Sequence, residues 1–164
     1  MDEARRDRVT AVNLKGVFVT CQRGLPEMMK QGGGAIVNVS SVASTISVPV
    51  ISYYSSKVGV NHFTQAVAVE YAPKSILCNA VLPGLINTPM IVTPYKYVYD
   101  SVDDMIAKRD AIVPMGKIGT AWDVAHASLF LASDEAEIHL RRAASCRWCA
   151  HAPNWLTRRS GNVS

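Results

Sequence analysis

No apolar run in these residues reaches the ~20 residues of a membrane-spanning helix, so no such helix is expected among them. No secretory signal opens it either. Met1-Asp2-Glu3-Ala4-Arg5-Arg6 is polar and reads as helix, and a cytoplasmic location is expected. Cysteine is scarce: four residues in 164, two of them isolated at Cys21 and Cys78, make no disulfide framework. Each of those two reads as a small buried apolar residue. Acids disappear after Glu137. All 13 acids and 12 of the 17 basic residues lie in residues 1–138, which therefore carry −1, while Arg141, Arg142, Arg147, Arg158 and Arg159 raise the whole to +4. The basicity belongs to a tail, and a nucleic-acid partner is not expected.

What is present is ordinary for a globular protein. Hydrophobic content of 49% and charged content of 18% carry no disorder signature, and the length suits one domain with a core. There is no internal repeat. Residues ~2–30 read as one long helix, with Val9, Val12, Gly16 and Val19 stepping along a face and glycines stopping it. Gly32-Gly33-Gly34 lacks the spacing of either phosphate-binding loop and reads as a flexible turn. Ala35 to Val39 and Ile76 to Leu82 are short apolar runs that suit buried parallel strands. Between them, residues ~52–72 have helical period with apolar residues over most of the circumference, which predicts a largely buried helix ended by Pro73. Strand, helix, strand makes a βαβ unit with a right-handed crossover. Residues ~85–100 lack period and read as a mobile loop. Short helices follow at ~101–110 and ~120–132, the second with Thr120 as N-cap and Asp123 three positions on.

Chemistry concentrates in Tyr53-Tyr54-Ser55-Ser56-Lys57, about a dozen residues after Ser40-Ser41. A Tyr and a Lys four apart share one helix face. An ammonium held beside a phenol stabilises the phenolate and poises the phenol to exchange a proton with a carbinol oxygen. Upstream lie Gly32-Gly33-Gly34 and Ala35-Ile36-Val37-Asn38-Val39, and downstream lies Ile76 to Leu82 followed by Pro83-Gly84-Leu85-Ile86-Asn87-Thr88-Pro89. Together these residues closely resemble the short-chain dehydrogenase/reductase family, from about Asp2 to about Ile138.

That resemblance implies an α/β fold, a Rossmann-type doubly wound parallel sheet in three layers. It implies reversible oxidation of a secondary alcohol to a ketone with NAD or NADP, on a small-molecule substrate, in a homo-oligomer (dimer or tetramer). It also implies an Asn-Ser-Tyr-Lys tetrad. Tyr53 is then the general acid/base, and Lys57 favours its phenolate and holds the cofactor ribose. Ser41 hydrogen-bonds the substrate oxygen, and Asn13, in Val12-Asn13-Leu14-Lys15-Gly16, steadies a helix kink and a water. Ser41 matches as second member of the serine pair, whereas Ser40 fits the family's usual 13-residue spacing to the Tyr, and both stay open with Ser41 preferred. Pro83, Gly84, Ile86 and Thr88 resemble the segment flanking the nicotinamide, with Tyr53 and Lys57 also touching the cofactor. No metal is expected: Cys146-Arg147-Trp148-Cys149 with His139 and His151 is one ligand-like pair without a second.

The resemblance breaks at both ends. The family's opening strand, Gly-rich turn and helix, which cradle the dinucleotide pyrophosphate, have no counterpart in these residues. Residues 139–164 show no pattern where the family has a last strand, and a reading-frame shift would explain that. The expectation is therefore a partial sheet lacking its first strands and its last, with residues 1–138 as the C-terminal two-thirds of the domain and 139–164 as a basic tail. A rival expectation follows: a catalytically inactive fragment that cannot hold cofactor and acts at most as a dimerisation partner. A metal-binding or basic-tail module is a more distant rival.

Overall fold

The computed structural model describes residues 2–46, 50–92 and 98–136. Tyr95 and Tyr97, which the sequence offers with Tyr99 either as a substrate-pocket lining or as packing of the loop, lie outside them, as does the tail from 139 onward with its Cys/His pair.

The chain begins with α1 (Glu3–Thr10), a π-helical turn (Ala11–Lys15) and α2 (Gly16–Gln31). Asp2 caps α1 by accepting from the Ala4 N–H, and Glu3 in the first turn complements the helix dipole. The single long helix expected from the sequence is thus interrupted, and Asn13 sits in the middle of the wider turn. Single π turns inside helices recur at functional positions because the extra residue re-aims its neighbours.

Strands β1 (Gly34–Val39) and β2 (Ile76–Val81) pair in parallel, Gly34 level with Ile76 and Val39 with Val81. Helix α3 (Ile51–Tyr71) crosses between them. A core of Cys21 and Leu25 from α2, Val67 from α3, and Ile76 and Cys78 from β2 joins the helices to one face of the sheet. Burying each such side chain is worth about 1.5–3 kcal/mol. Helix α6 (Ala121–Ala132) packs against both strands as the third layer. Its N-terminus carries the expected capping box, with Thr120 and Asp123 each accepting from the other's backbone N–H. The hydrogen bonds from Thr120 hold the Asp123 carboxyl below the usual carboxylate range.

Three further expectations are revised. Helix α3 is buried along one stripe, Ser56, Val60, Thr64 and Val67, while Val58 and Val69 face outward. Residues 85–100 are not all loop: β3 (Ile86–Asn87), α4 (Pro89–Val92) and α5 (from Val102 to Asp110) bracket it, and β3 pairs in parallel with β4 (Gly119–Thr120).

The third revision is the glycine turn, which is fixed and not flexible. Gly32 adopts φ 87° and its N–H meets Met29 O, while the Gly33 N–H meets Met28 O, the paired bonds that close a helix C-terminus. A Cβ on Gly33 would lie 2.8 Å from Ser75 O. Gly33→Ala is therefore expected to destabilise the fold by about 1–3 kcal/mol, because backbone must shift to relieve the overlap. Urea unfolding of the variant checks this, and an unchanged midpoint would contradict it.

Candidate active site

The parallel register sets the site. With Val39 level with Val81, the chain leaving β1 runs beside the chain leaving β2. The Ser40 N–H donates to Val81 O (2.8 Å) and the Val42 N–H donates to Pro83 O (3.1 Å). Ser40, Ser41, Pro83 and Gly84 consequently share the carboxyl end of the strands, where open α/β sheets bind their ligands.

The first two turns of α3 meet this edge. Lys57 Nζ lies 5.8 Å from the centroid of the Tyr53 ring and donates to Val39 O at 2.8 Å. In return, Ser40 Oγ donates to the Lys57 carbonyl at 3.1 Å. These reciprocal bonds tie α3 to the end of β1 and hold the ammonium beside the phenol. Burial pushes the Lys57 ammonium below the ordinary lysine value, since a less hydrated cation is less stable. The Tyr53 ring meets Tyr54 edge-on at 5.9 Å.

The two serines have different surroundings. Ser40 is 2% exposed and its proton goes to the Lys57 carbonyl. Ser41, 8% exposed, accepts from the Ala43 N–H and caps the 3₁₀ turn Val42–Ser44. That bond occupies a lone pair and leaves the hydroxyl proton to donate elsewhere.

Asn13 reaches the cluster from the π turn. Its Nδ2 donates to Ser56 Oγ (3.1 Å), and Ser56 Oγ donates to the Tyr53 carbonyl (2.7 Å). Close approach makes this possible: Leu14 packs onto α3 at Gly59, where an added Cβ would meet its Cδ2 at 2.9 Å. Ser56 stands inside the Tyr53–Lys57 run, but the sequence assigns it no role. The signal for it was a serine on the α3 stripe that also carries Val60, Thr64 and Val67.

Ser40, Ser41 and Lys57 thus meet at the end of β1, Tyr53 stands beside Lys57 on α3, and Asn13 reaches the same helix through Ser56. Pro83 joins them through its bond with Val42. Ile86 and Thr88 lie further along the chain. The Thr88 hydroxyl is 3.5 Å from Ile86 O, the far limit of a hydrogen bond, so it retains most of its donor capacity. A cleft of about 480 Å³ opens beside this segment, lined by Pro83, Gly84 and Ile86 together with Met115, Lys117 and His126; Tyr53, Lys57 and Thr88 do not line it. The buried thiols fit the core role expected of them, burial raising Cys21 and pushing Cys78 up to about 12. Among the described residues, no group of three His, Cys, Asp or Glu side chains could hold a metal, and no helix is long and apolar enough to cross a membrane.

A parallel βαβ layer flanked by helices, with serines at the strand ends and a Tyr–Lys pair on the crossover helix, defines a Rossmann-like α/β protein, and the solved structures it resembles agree. Aldohexose dehydrogenase from Thermoplasma acidophilum, in ligand-free form, superposes with TM-score 0.81 at 32% identity, over 89% of this chain and 59% of that one. A 3-oxoacyl-[acyl-carrier protein] reductase from Brucella melitensis, solved with bound NAD, gives 0.76 at 31% identity, over 93% and 54%. Among curated proteins, 2-(R)-hydroxypropyl-CoM dehydrogenase of Xanthobacter autotrophicus is 45% identical over 131 residues, 79% of this chain and 50% of the relative. A family model described as enoyl-(acyl carrier protein) reductase matches residues 1–139. The chain belongs to the short-chain dehydrogenase/reductase family. It spans about half the length of the curated relatives it matches.

Proposed function

We propose that these residues carry the catalytic half of an NAD- or NADP-dependent oxidoreductase that interconverts a secondary alcohol and a ketone. The observation that carries this is the Lys57 ammonium fixed on Val39 O beside the Tyr53 ring, at the carboxyl end of the strands. The hydroxypropyl group in the name of the Xanthobacter relative, and the NAD bound to the Brucella neighbour, point the same way.

The residues fit the nicotinamide end of such a cofactor. Lys57 presents an ammonium of reduced hydration, Pro83-Gly84 offers backbone at the strand ends, and Thr88 keeps a hydroxyl nearly free. A bound nicotinamide dinucleotide would supply the hydride acceptor or donor. In alcohol oxidation Tyr53 takes the hydroxyl proton as the carbon loses hydride, and in reduction it returns that proton. Ser41 donates a hydrogen bond to the oxygen on which charge develops. Asn13, acting through Ser56 on the Tyr53 carbonyl, fixes the turn of α3 that carries the acid/base. The intact protein forms a homo-oligomer in this reading, a dimer or tetramer; Val12, Phe18 and Val69 are exposed apolar side chains on the helices that would meet.

The test is a chimera in which this chain replaces the matching half of the Xanthobacter dehydrogenase. It should oxidise a secondary alcohol with NAD or NADP, read at the nicotinamide absorbance; a folded, cofactor-bound chimera without turnover would refute the proposal. Within it, Ser41→Ala should cost about 2–4 kcal/mol of transition-state stabilisation, the scale of one polarising donor. Ser40→Ala should instead cost about 0.5–1.5 kcal/mol of folding stability, because one hydrogen bond between the end of β1 and α3 is lost. Kinetics paired with urea unfolding separates the two, and the reverse ranking in turnover would move the role to Ser40.

A second reading has its own observation. The glycine turn at Gly32–Gly34 joins a helix C-terminus to a strand, the opposite order to a pyrophosphate cradle. A polypeptide of these residues alone would then be catalytically silent and act at most as a dimerisation partner.

A further inference from the structure

We propose that Asn61 is a positioning residue for the substrate-binding serine, acting through Ser44; this rests on the role given to Ser41 above. Asn61 lies on α3 one turn beyond Lys57 and two beyond Tyr53. Its Nδ2 donates to Ser44 Oγ at 2.6 Å, and Ser44 Oγ donates to the Ser41 carbonyl at 2.6 Å. Ser41 Oγ in turn accepts from the Ala43 N–H inside the same turn.

The direction of this chain of bonds is fixed by proton count. Ser44 has one hydroxyl proton and gives it to the Ser41 carbonyl, so its oxygen must accept from Asn61, and only the amide nitrogen can supply that bond. Asn61 Oδ1 is left buried without a partner. A buried amide oxygen without a donor is costly, so burial for its own sake does not explain an asparagine here. The bond to Ser44 does. It runs from the helix that carries Tyr53 and Lys57 to the turn that carries Ser41, and it spans 17 positions of sequence. Lys57 and Ser40 already tie α3 to the end of β1 through backbone atoms. Asn61 adds a second tie, past the serine, so that the Ser41 turn cannot rotate about the first. The consequence is a fixed offset between the hydroxyl that polarises the substrate oxygen and the phenol that exchanges its proton, a placement on which turnover depends steeply.

Two measurements test this, with Asn61→Ala, Ser44→Ala and the hydroxyl-retaining Ser44→Thr. In this chain, amide hydrogen exchange at Ala43 should quicken by about tenfold in either alanine variant, with no further gain in the double variant. Ser44→Thr should stay near wild type, and the amides of Cys21 and Leu25 in α2 should change little. Unchanged exchange at Ala43 would overturn the proposal. So would equal loss of protection in α2, because the pair would then be holding the whole fold. In the chimera, Asn61→Ala should lower kcat by about 10- to 100-fold with cofactor KM within about twofold, and should cost nothing more in a Ser41→Ala background. If the two losses multiply instead, Asn61 does not act through Ser41 and the inference fails, while the role of Ser41 stands. If Ser41→Ala by itself leaves turnover intact, the role of that serine fails, and the exchange result separately decides whether Asn61 and Ser44 order its turn.

Discussion

Replacing Tyr53 by phenylalanine in the chimera is expected to lower turnover by at least ~10²-fold while leaving cofactor affinity almost unchanged. The substitution removes one oxygen and keeps the ring, and with it the edge-on contact to Tyr54 at 5.9 Å. Lys57 keeps its bond to Val39 O and its place on the helix, so the cofactor side of the site is undisturbed. What is lost is the proton acceptor for the alcohol, while the Lys57 ammonium beside it stays engaged on Val39 O. The measurement is steady-state kinetics alongside a cofactor titration of the same preparation. Turnover within a few-fold of wild type would remove Tyr53 from the acid/base role. A parallel loss of cofactor binding would mean that the hydroxyl holds the ribose and that its part in proton transfer has been overstated.

The second large effect concerns a polypeptide of these residues by themselves: it should bind neither NADH nor NADPH in the micromolar range and should show no measurable turnover. A dinucleotide is oriented by its pyrophosphate, which is normally bound by free backbone N–H groups at a glycine turn and helix N-terminus. The Gly32–Gly34 turn has none to offer. The N–H groups of Gly32 and Gly33 close α2 on Met29 and Met28, and that of Gly34 donates to Ser75 O at 3.1 Å. The nicotinamide end alone forfeits several kcal/mol, and each 1.4 kcal/mol is tenfold in affinity. Calorimetric titration of the purified chain checks this. Micromolar binding would show that a partner chain or another surface supplies the pyrophosphate contacts, and the silent-fragment reading would fall with it.

Helix α3 and the two strands were legible in the sequence because their signals are local. Apolar runs of strand length, a helical period and Pro73 each act within a few residues of the backbone they shape. The same holds for the Thr120–Asp123 capping box, which needs only three residues' separation. The Tyr53–Lys57 pair was legible for that reason too, since a four-residue spacing on any helix brings the two side chains to one face. The burial of α3 was overestimated because period alone does not say how many faces are covered; Val69 is 76% exposed despite its place in an apolar run. The glycine turn looked flexible because composition records only that glycine permits many conformations. It is fixed by Met28, Met29 and Ser75, the last of them more than forty residues away in sequence.

By itself, then, the sequence determined the order of the main helices and strands, the parallel βαβ unit and the residue types of the candidate site. The tertiary structure decided how those residues are bonded. Whether Ser40 or Ser41 has a proton to spare depends on the Lys57 carbonyl, 17 residues on, and that contact exists only because the β1–β2 register brings the end of β1 under α3. Asn13 finds Ser56 across 43 residues because a π turn and the absence of a Cβ at Gly59 let two helices approach. Short-range geometry is written in neighbouring side chains. Hydrogen-bond partners far apart in the chain are chosen by packing, because one residue of register or one rotation of a helix exchanges every one of them.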